Sequence, residues 1–144
     1  MKLRVAARLA PWTCLLVLIG CSSNNQPECF AVRGQVKFNN KPVGDAMVTF
    51  HPQVEPAVPV PRPTAICDAQ GNFSLTTFRQ NDGAPPGDYA ITIELREERM
   101  VGEEMVRDGK NVLPAKYASK ETSGLNYRVV AGSNEVPTLE LTGR

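Results

Sequence analysis

Length, composition and charge restrict the class of protein. The chain has 144 residues, with 16 Lys and Arg against 15 Asp and Glu, and a formal net charge of +1. This length suits one folded domain, and the near-neutral charge lacks the clustered cations of a surface that binds nucleic acid. Three basic residues and no acidic ones fall in the first 20 positions, which leaves 13 against 15 in the rest. We therefore expect neither a nucleic-acid partner nor attachment to a membrane through a polybasic patch.

The N-terminus has the three-part order of an export signal. A basic start with Lys2, Arg4 and Arg8 precedes an apolar run over residues 9–19, and the small residue Gly20 follows. A helix that anchors a protein in a membrane needs roughly 20 apolar residues, and this run is about half as long and contains Pro11. Residues 1–20 are therefore predicted to be a signal peptide and not a membrane-spanning anchor.

Residues 18–21, Leu-Ile-Gly-Cys, resemble the lipobox of bacterial lipoproteins. In that family a diacylglycerol is attached to the cysteine thiol, and cleavage on its N-terminal side leaves the acylated cysteine first. The resemblance implies that Cys21 is lipidated, with palmitate-like acyl chains that hold the protein on the periplasmic or outer-membrane face of the cell envelope. Residues 21–29 would then be the lipidated cysteine and a polar tether. Ordinary secretion with a free Cys21 is the alternative.

Two cysteines remain for the folded part of the chain. Cys14 leaves with the signal peptide and Cys21 carries lipid, which leaves Cys29 and Cys67. An oxidising compartment favours a disulfide between these two thiols. The distance between their Cα atoms does not follow from the sequence, so two unpaired thiols remain the alternative.

Residues 30–144 are predicted to form one all-β domain, because apolar and polar residues alternate in several short segments separated by turn signals. The positions predicted to face inward are Val32, Val36, Phe38, Ala46, Val48, Phe50, Phe73, Leu75, Tyr89, Ile91, Ile93, Leu95, Leu125, Tyr127, Val129, Leu139 and Leu141. With a short strand over residues 64–67, these segments predict a seven-stranded Greek-key β-sandwich.

The connections are predicted from their turn and charge content. The first two strands are expected to pair as a hairpin, and residues 68–71 are expected to turn the chain between the third and fourth. Residues 52–63 contain five prolines and should form an extended loop. Residues 96–112 are rich in charge and are predicted to be a mobile insertion outside the core, with at most one helical turn.

Four short segments together resemble the carboxypeptidase regulatory-like domain, a transthyretin-like sandwich. The segments are residues 32–36 (VRGQV), 41–46 (KPVGDA), 68–73 (DAQGNF) and 86–89 (PGDY). Residues 113–117 and 122–125 are further similar to a subgroup of small bacterial lipoproteins that carry this domain alone and generally have no assigned activity. Turn glycines and inward strand residues make up most of these motifs, so the resemblance implies a fold and not a reaction.

The sequence offers no constellation that predicts catalysis. His51 is the only histidine and lies on the outward face of a predicted strand, and no Gly-x-Ser-x-Gly motif is present. One histidine with two distant cysteines does not make a zinc site. We therefore expect no catalytic, metal or cofactor site.

The predicted function is a monomeric, lipid-anchored and non-enzymatic module that binds a neighbouring envelope protein or glycan through loops at the ends of the sandwich. A purely structural lipoprotein without a ligand, or a hydrolase of the transthyretin-like type, is the alternative.

Overall fold

A computed structural model describes residues 26–143. The predicted signal peptide and Cys21 lie outside these residues. The strands are β1 (Val32–Phe38), β2 (Lys41–Pro42), β3 (Met47–Pro52), β4 (Thr64–Ile66), β5 (Asn72–Ser74), β6 (Gly87–Glu94), β7 (Arg99–Val101), β8 (Glu104–Val106), β9 (Leu125–Val129), β10 (Asn134–Glu135) and β11 (Leu139–Leu141). One 3-10 helix, η1 (Ala115–Ala118), precedes β9.

Two sheets pack face to face as a sandwich. In the first sheet, β1 pairs in parallel with β10 and then with β11, and antiparallel with β5 and β2. The second sheet is antiparallel in the order β4-β3-β6-β9. The predicted all-β sandwich is therefore confirmed, and seven of its strands are the ones that the alternation predicted.

The core lies between the two sheets and is centred on Phe50, which is fully buried. The ring of Phe50 lies 5.7 Å from that of Tyr89 and 6.5 Å from those of Phe73 and Tyr127, centroid to centroid. The predicted inward positions are buried or pack against this core in each of the six strands for which such positions were predicted. The period-two pattern therefore identified the core face of each strand correctly.

The predicted pairing of the first two strands as a hairpin is wrong. Asn39 and Asn40, with φ values of 48° and 65°, turn β1 back into the two-residue strand β2. The chain then crosses to the second sheet before β3 begins. Likewise, β4 and β5 flank the predicted turn but belong to different sheets. Alternation shows which side of a strand faces inward, but it does not show which strand is its neighbour.

Residues 96–112 contain a two-stranded β-hairpin, which the sequence did not predict, and no helical turn. β7 and β8 pair across Gly102, whose φ is 65°. Arg99 forms an ion pair with Asp108, and Arg107 forms one with Glu98. The hairpin lies outside the core, as predicted, and its two methionines are exposed.

Candidate binding site

The sandwich has two structurally different ends. At the tether end, the chain enters the domain at Pro27, and Phe30 pairs with Ala84. At the far end, β1 finishes at Phe38 beside Leu141. β1 runs from one end to the other, and its seven residues span roughly 20 Å. Loops gather at both ends and leave a groove at each.

The far-end groove has a volume of about 710 Å³. Its lining includes two amide side chains, Asn39 and Asn111, two lysines, Lys110 and Lys116, and the half-buried ring of Phe38. No carboxylate side chain is among the lining residues. The groove therefore offers amide donors and acceptors, two ammonium groups and a small apolar surface, which suit a polar or anionic ligand.

Hydrogen bonds hold the walls of the far-end groove in place. Asn111 accepts the backbone N–H groups of Leu95 at 3.0 Å and Leu113 at 3.2 Å. The hydroxyl of Tyr117 accepts the N–H of Thr142 at 2.9 Å and lies 3.3 Å from its carbonyl oxygen. These contacts tie the segment before η1 and the C-terminal segment together, so the groove is largely preformed.

Lys116 is placed by the ring beneath it. Its ammonium nitrogen lies 4.8 Å from the centroid of Tyr117, which is a cation–π distance. Burial raises the pKa of the Tyr117 hydroxyl, but its bonds to Thr142 and the nearby Lys116 outweigh burial and leave the pKa below its usual value. The ammonium group of Lys116 is therefore held at the groove, and its side chain is exposed and can reach a ligand.

His51 lies away from both grooves, on the outer face of β3. Its Nε2 atom lies 2.8 Å from the hydroxyl oxygen of Thr92 on β6. Desolvation lowers the pKa of His51, and the positive charges of Arg62 and Lys120 lower it further. The imidazole is thus half-buried and favoured in its neutral form, beside a shallow depression of about 300 Å³. This geometry describes a hydrogen-bonded surface histidine.

The predicted disulfide between Cys29 and Cys67 is not formed, and both thiols are free. Cys29 lies at the tether end, close to Thr77 and Asp82. Cys67 follows β4 and its N–H bonds to Ala46, at the opposite end of β3. The six residues of β3 span roughly 17 Å, whereas a disulfide needs Cα atoms within about 7 Å. Burial raises the pKa of Cys67 to about 12.

The tether-end groove has a volume of about 570 Å³, and seven of its lining residues are prolines. Pro27, the proline-rich loop of residues 53–63 and the turn before β6 form its walls. Tyr89 closes one side, because its hydroxyl donates to the carbonyl oxygen of Pro85 at 2.8 Å. The proline-rich loop was predicted as an extended connection over residues 52–63. It begins one residue later, because Pro52 is the last residue of β3, and residues 53–63 contain no strand or helix.

Asp82 shapes the tether end and was not singled out from the sequence. The carboxylate of Asp82 accepts N–H groups from Thr77 at 2.7 Å, Phe78 at 3.0 Å and Arg79 at 2.9 Å. Partial burial raises its pKa, but these bonds outweigh burial and leave the pKa below its usual value. The Asn-Asp-Gly run at residues 81–83 is a turn signal, and it predicts that the side chain of Asp82 bonds to nearby backbone N–H groups.

The buried side chain of Asn134 lies at the end of the turn that the sequence predicts over residues 131–134. Its amide donates to the carbonyl oxygens of Val130 at 2.9 Å and Gly132 at 3.0 Å, and its Oδ1 accepts the N–H of Val130. Asn134 thereby holds the turn between β9 and β10 and joins it to the start of β1.

Within residues 26–143, no group of three or more His, Cys, Asp or Glu side chains could hold a metal ion. No helix in the same range is long and apolar enough to cross a membrane.

Comparison with known proteins finds likeness only among solved structures. No family model and no curated protein matches the sequence. A DUF3823 family protein from Parabacteroides merdae is 12% identical with a TM-score of 0.42, over 81% of this chain and 47% of that one. A 9R-lipoxygenase from Cyanothece is 13% identical with a TM-score of 0.46, over 79% and 16%. A "putative carbohydrate binding protein" from Pseudomonas aeruginosa is 16% identical with a TM-score of 0.43, over 82% and 90%.

The chain thus spans about half the length of the Parabacteroides protein. At these identities the likeness concerns the path of the backbone and not the site.

Proposed function

We propose that this protein is an exported lipoprotein whose single carboxypeptidase regulatory-like domain is held on the cell envelope by acyl chains on Cys21. The lipobox-like residues 18–21 support the anchor, as does the start of the fold at Phe30, only nine positions after Cys21. The domain acts as a non-enzymatic, monomeric binding module. It binds a neighbouring envelope protein or glycan at the far-end groove.

The far-end groove carries the proposal for binding. It combines two amides, two cations and an aromatic ring on walls that internal hydrogen bonds already hold in place. A preformed site loses little conformational entropy when a ligand binds. The groove also lies at the end of β1 opposite the tether, where the chain enters at Pro27, so a bound ligand does not compete with the anchor for space.

The anchor predicts the result of replacing Cys21. We expect Cys21→Ser to abolish lipidation and the cleavage that follows it, because the modification uses the thiol. The wild-type protein should stay with membranes in high salt and leave them in detergent, since two acyl chains hold a protein far more firmly than one. Mass spectrometry should find an N-terminal peptide that starts at Cys21 and carries diacylglycerol.

A retained signal peptide would also pellet with membranes, so the peptide mass is the deciding measurement. Soluble wild-type protein with an unmodified Cys21 would contradict the proposed anchor and localisation.

Binding at the far end is tested by photocrosslinking. A benzophenone side chain at Ala115, which is exposed in the groove, should capture one partner saturably in intact cells. Replacement of both Lys110 and Lys116 by Glu should lower the yield at least tenfold, because each bond to a charged group contributes about 1.5–3 kcal/mol and about 1.4 kcal/mol corresponds to a factor of ten in affinity. The mass of the adduct distinguishes a protein from a glycan.

The matched control carries the same probe at Val101, which is exposed on the β7–β8 hairpin. Equal capture at both positions, or none at either, would favour a structural lipoprotein without a specific ligand.

A further inference from the structure

The proline-rich loop of residues 53–63 presents an apolar surface at the tether end. Val54 is 83% exposed and Val58 is 48% exposed. Residues 57–61, Ala-Val-Pro-Val-Pro, contain no polar side chain, and the loop has only Glu55 and Arg62 as charged residues. Val54, Ala57 and Val60 lie together in the lining of the tether-end groove, and an exposed apolar groove of this kind marks a candidate interaction site.

The position of the tether indicates which kind of molecule covers this surface. Pro27 is itself part of the tether-end groove, together with Pro56 and Val60 of the loop. Cys21 precedes Pro27 by six positions, and six residues reach at most about 20 Å when fully extended. A lipid on Cys21 therefore keeps the apolar loop within that distance of the bilayer.

The loop is also chemically suited to a lipid surface. Four of the eleven residues at positions 53–63 are proline, which has no N–H group and therefore brings fewer unpaired backbone donors into an apolar environment. Proline also restricts the loop before it binds, so less conformational freedom is lost on docking.

We propose that the proline-rich loop docks on the lipid bilayer, with Val54 and Val58 inserted at the boundary between headgroups and acyl chains. This inference rests on the proposed lipidation of Cys21. The occupant of the tether-end surface is thus lipid and not a second copy of the chain or a partner protein. Docking in this way directs the far-end groove away from the membrane, towards the space where a partner lies.

A single tryptophan reports on this contact. Trp12 is the only tryptophan and falls in the predicted signal peptide, so the cleaved protein has none. Val58→Trp places the fluorophore on the loop, and Val112→Trp places it beside the far-end groove at a site of matched exposure, 48% against 49%. Both lipidated variants are incorporated into vesicles of phosphatidylethanolamine and phosphatidylglycerol, with or without phospholipid brominated on its acyl chains.

We expect brominated lipid to quench the tryptophan at position 58 severalfold more strongly than the one at position 112. Addition of Val54→Glu to the Val58→Trp chain should reduce this quenching, because a carboxylate is unfavourable at the acyl boundary. The peptide mass at Cys21 is measured on the same samples.

Each other outcome counts against docking. Equal quenching at the two positions in lipidated protein would overturn the inference and leave the proposed anchor intact. A blue shift of the tryptophan at position 58 without quenching would assign the surface to protein, either a partner or a second copy. Unmodified Cys21 would overturn the anchor and, with it, the inference.

Discussion

Gly83→Ala is expected to destabilise the domain by more than about 3 kcal/mol, for two reasons. The added methyl group would clash with the backbone of Phe30, and alanine is strained at the φ of Gly83. A Cβ atom at Gly83 would lie 1.8 Å from the carbonyl oxygen of Phe30 and 2.4 Å from its carbonyl carbon. The φ of Gly83 is +87°, a left-handed conformation that disfavours alanine by about 1–2 kcal/mol.

The clash at Gly83 cannot be relieved by turning a side chain. Phe30 and Ala84 exchange two backbone hydrogen bonds of 2.9 and 3.0 Å, and the N–H of Gly83 bonds to Leu75 at 2.9 Å. Moving Phe30 away would break the pair that attaches the entering chain to the sandwich, and each such bond contributes about 1 kcal/mol. The effect should therefore appear in the global free energy of unfolding.

Gly124→Ala is the matched control for Gly83→Ala. Its φ is +68°, but no atom lies within 4 Å of a Cβ built there. This variant should lose only the conformational contribution of about 1–2 kcal/mol. Urea unfolding followed by circular dichroism measures both variants, and equal losses would show that the contact with Phe30 is not a close one.

Phe50→Ala is expected to cost about 3–5 kcal/mol, the range for truncating a buried aromatic residue. The side chain is fully buried and three other rings lie around it. Removing the ring leaves a cavity between the two sheets, because Phe73 lies on the first sheet and Tyr89 on the second. The strands of the two sheets cannot close this cavity. Phe50→Leu keeps part of the volume and should lose less.

Val54→Ala is the control for the core variant. Because Val54 is 83% exposed, its truncation should change the free energy of unfolding by no more than about 0.5 kcal/mol. Similar unfolding midpoints for Phe50→Ala and Val54→Ala would contradict a core centred on Phe50. If Phe50→Ala fails to fold, Phe50→Leu still allows the comparison.

The two grooves lie at opposite ends of the domain. One is beside the segment that leads to the N-terminus, and the other is at the far end. The groove beside Pro27 is lined mainly by prolines, whereas the one beside Phe38 carries Lys110 and Lys116. An apolar surface next to the proposed lipid anchor, with a cationic, hydrogen-bonding surface opposite to it, fits the proposal that one end of the domain faces the membrane and the other faces a partner.

The local sequence pattern was sufficient to predict seven of the strands and the inward faces of most of them. Side chains of a strand alternate between its two sides, so Val48, Phe50, Ile91 and Ile93 could be assigned to the core from their neighbours in sequence alone. The predicted turn at residues 68–71 was recognisable for the same reason, since its residue types act within four positions. The predicted export signal and the lipobox resemblance are likewise properties of consecutive residues.

Long-range geometry decided the remaining features. The separation of β1 from β3, and of Cys29 from Cys67, depends on which strands share a sheet. The pairing of β7 with β8 depends on Gly102 at their turn, in a segment whose charges concealed the strand pattern. Both grooves combine residues far apart in sequence, such as Phe38 with Lys116, and Pro27 with Val60. Only the packing of the two sheets brings these residues together, because their contacts arise from the fold and leave no periodic trace in the chain.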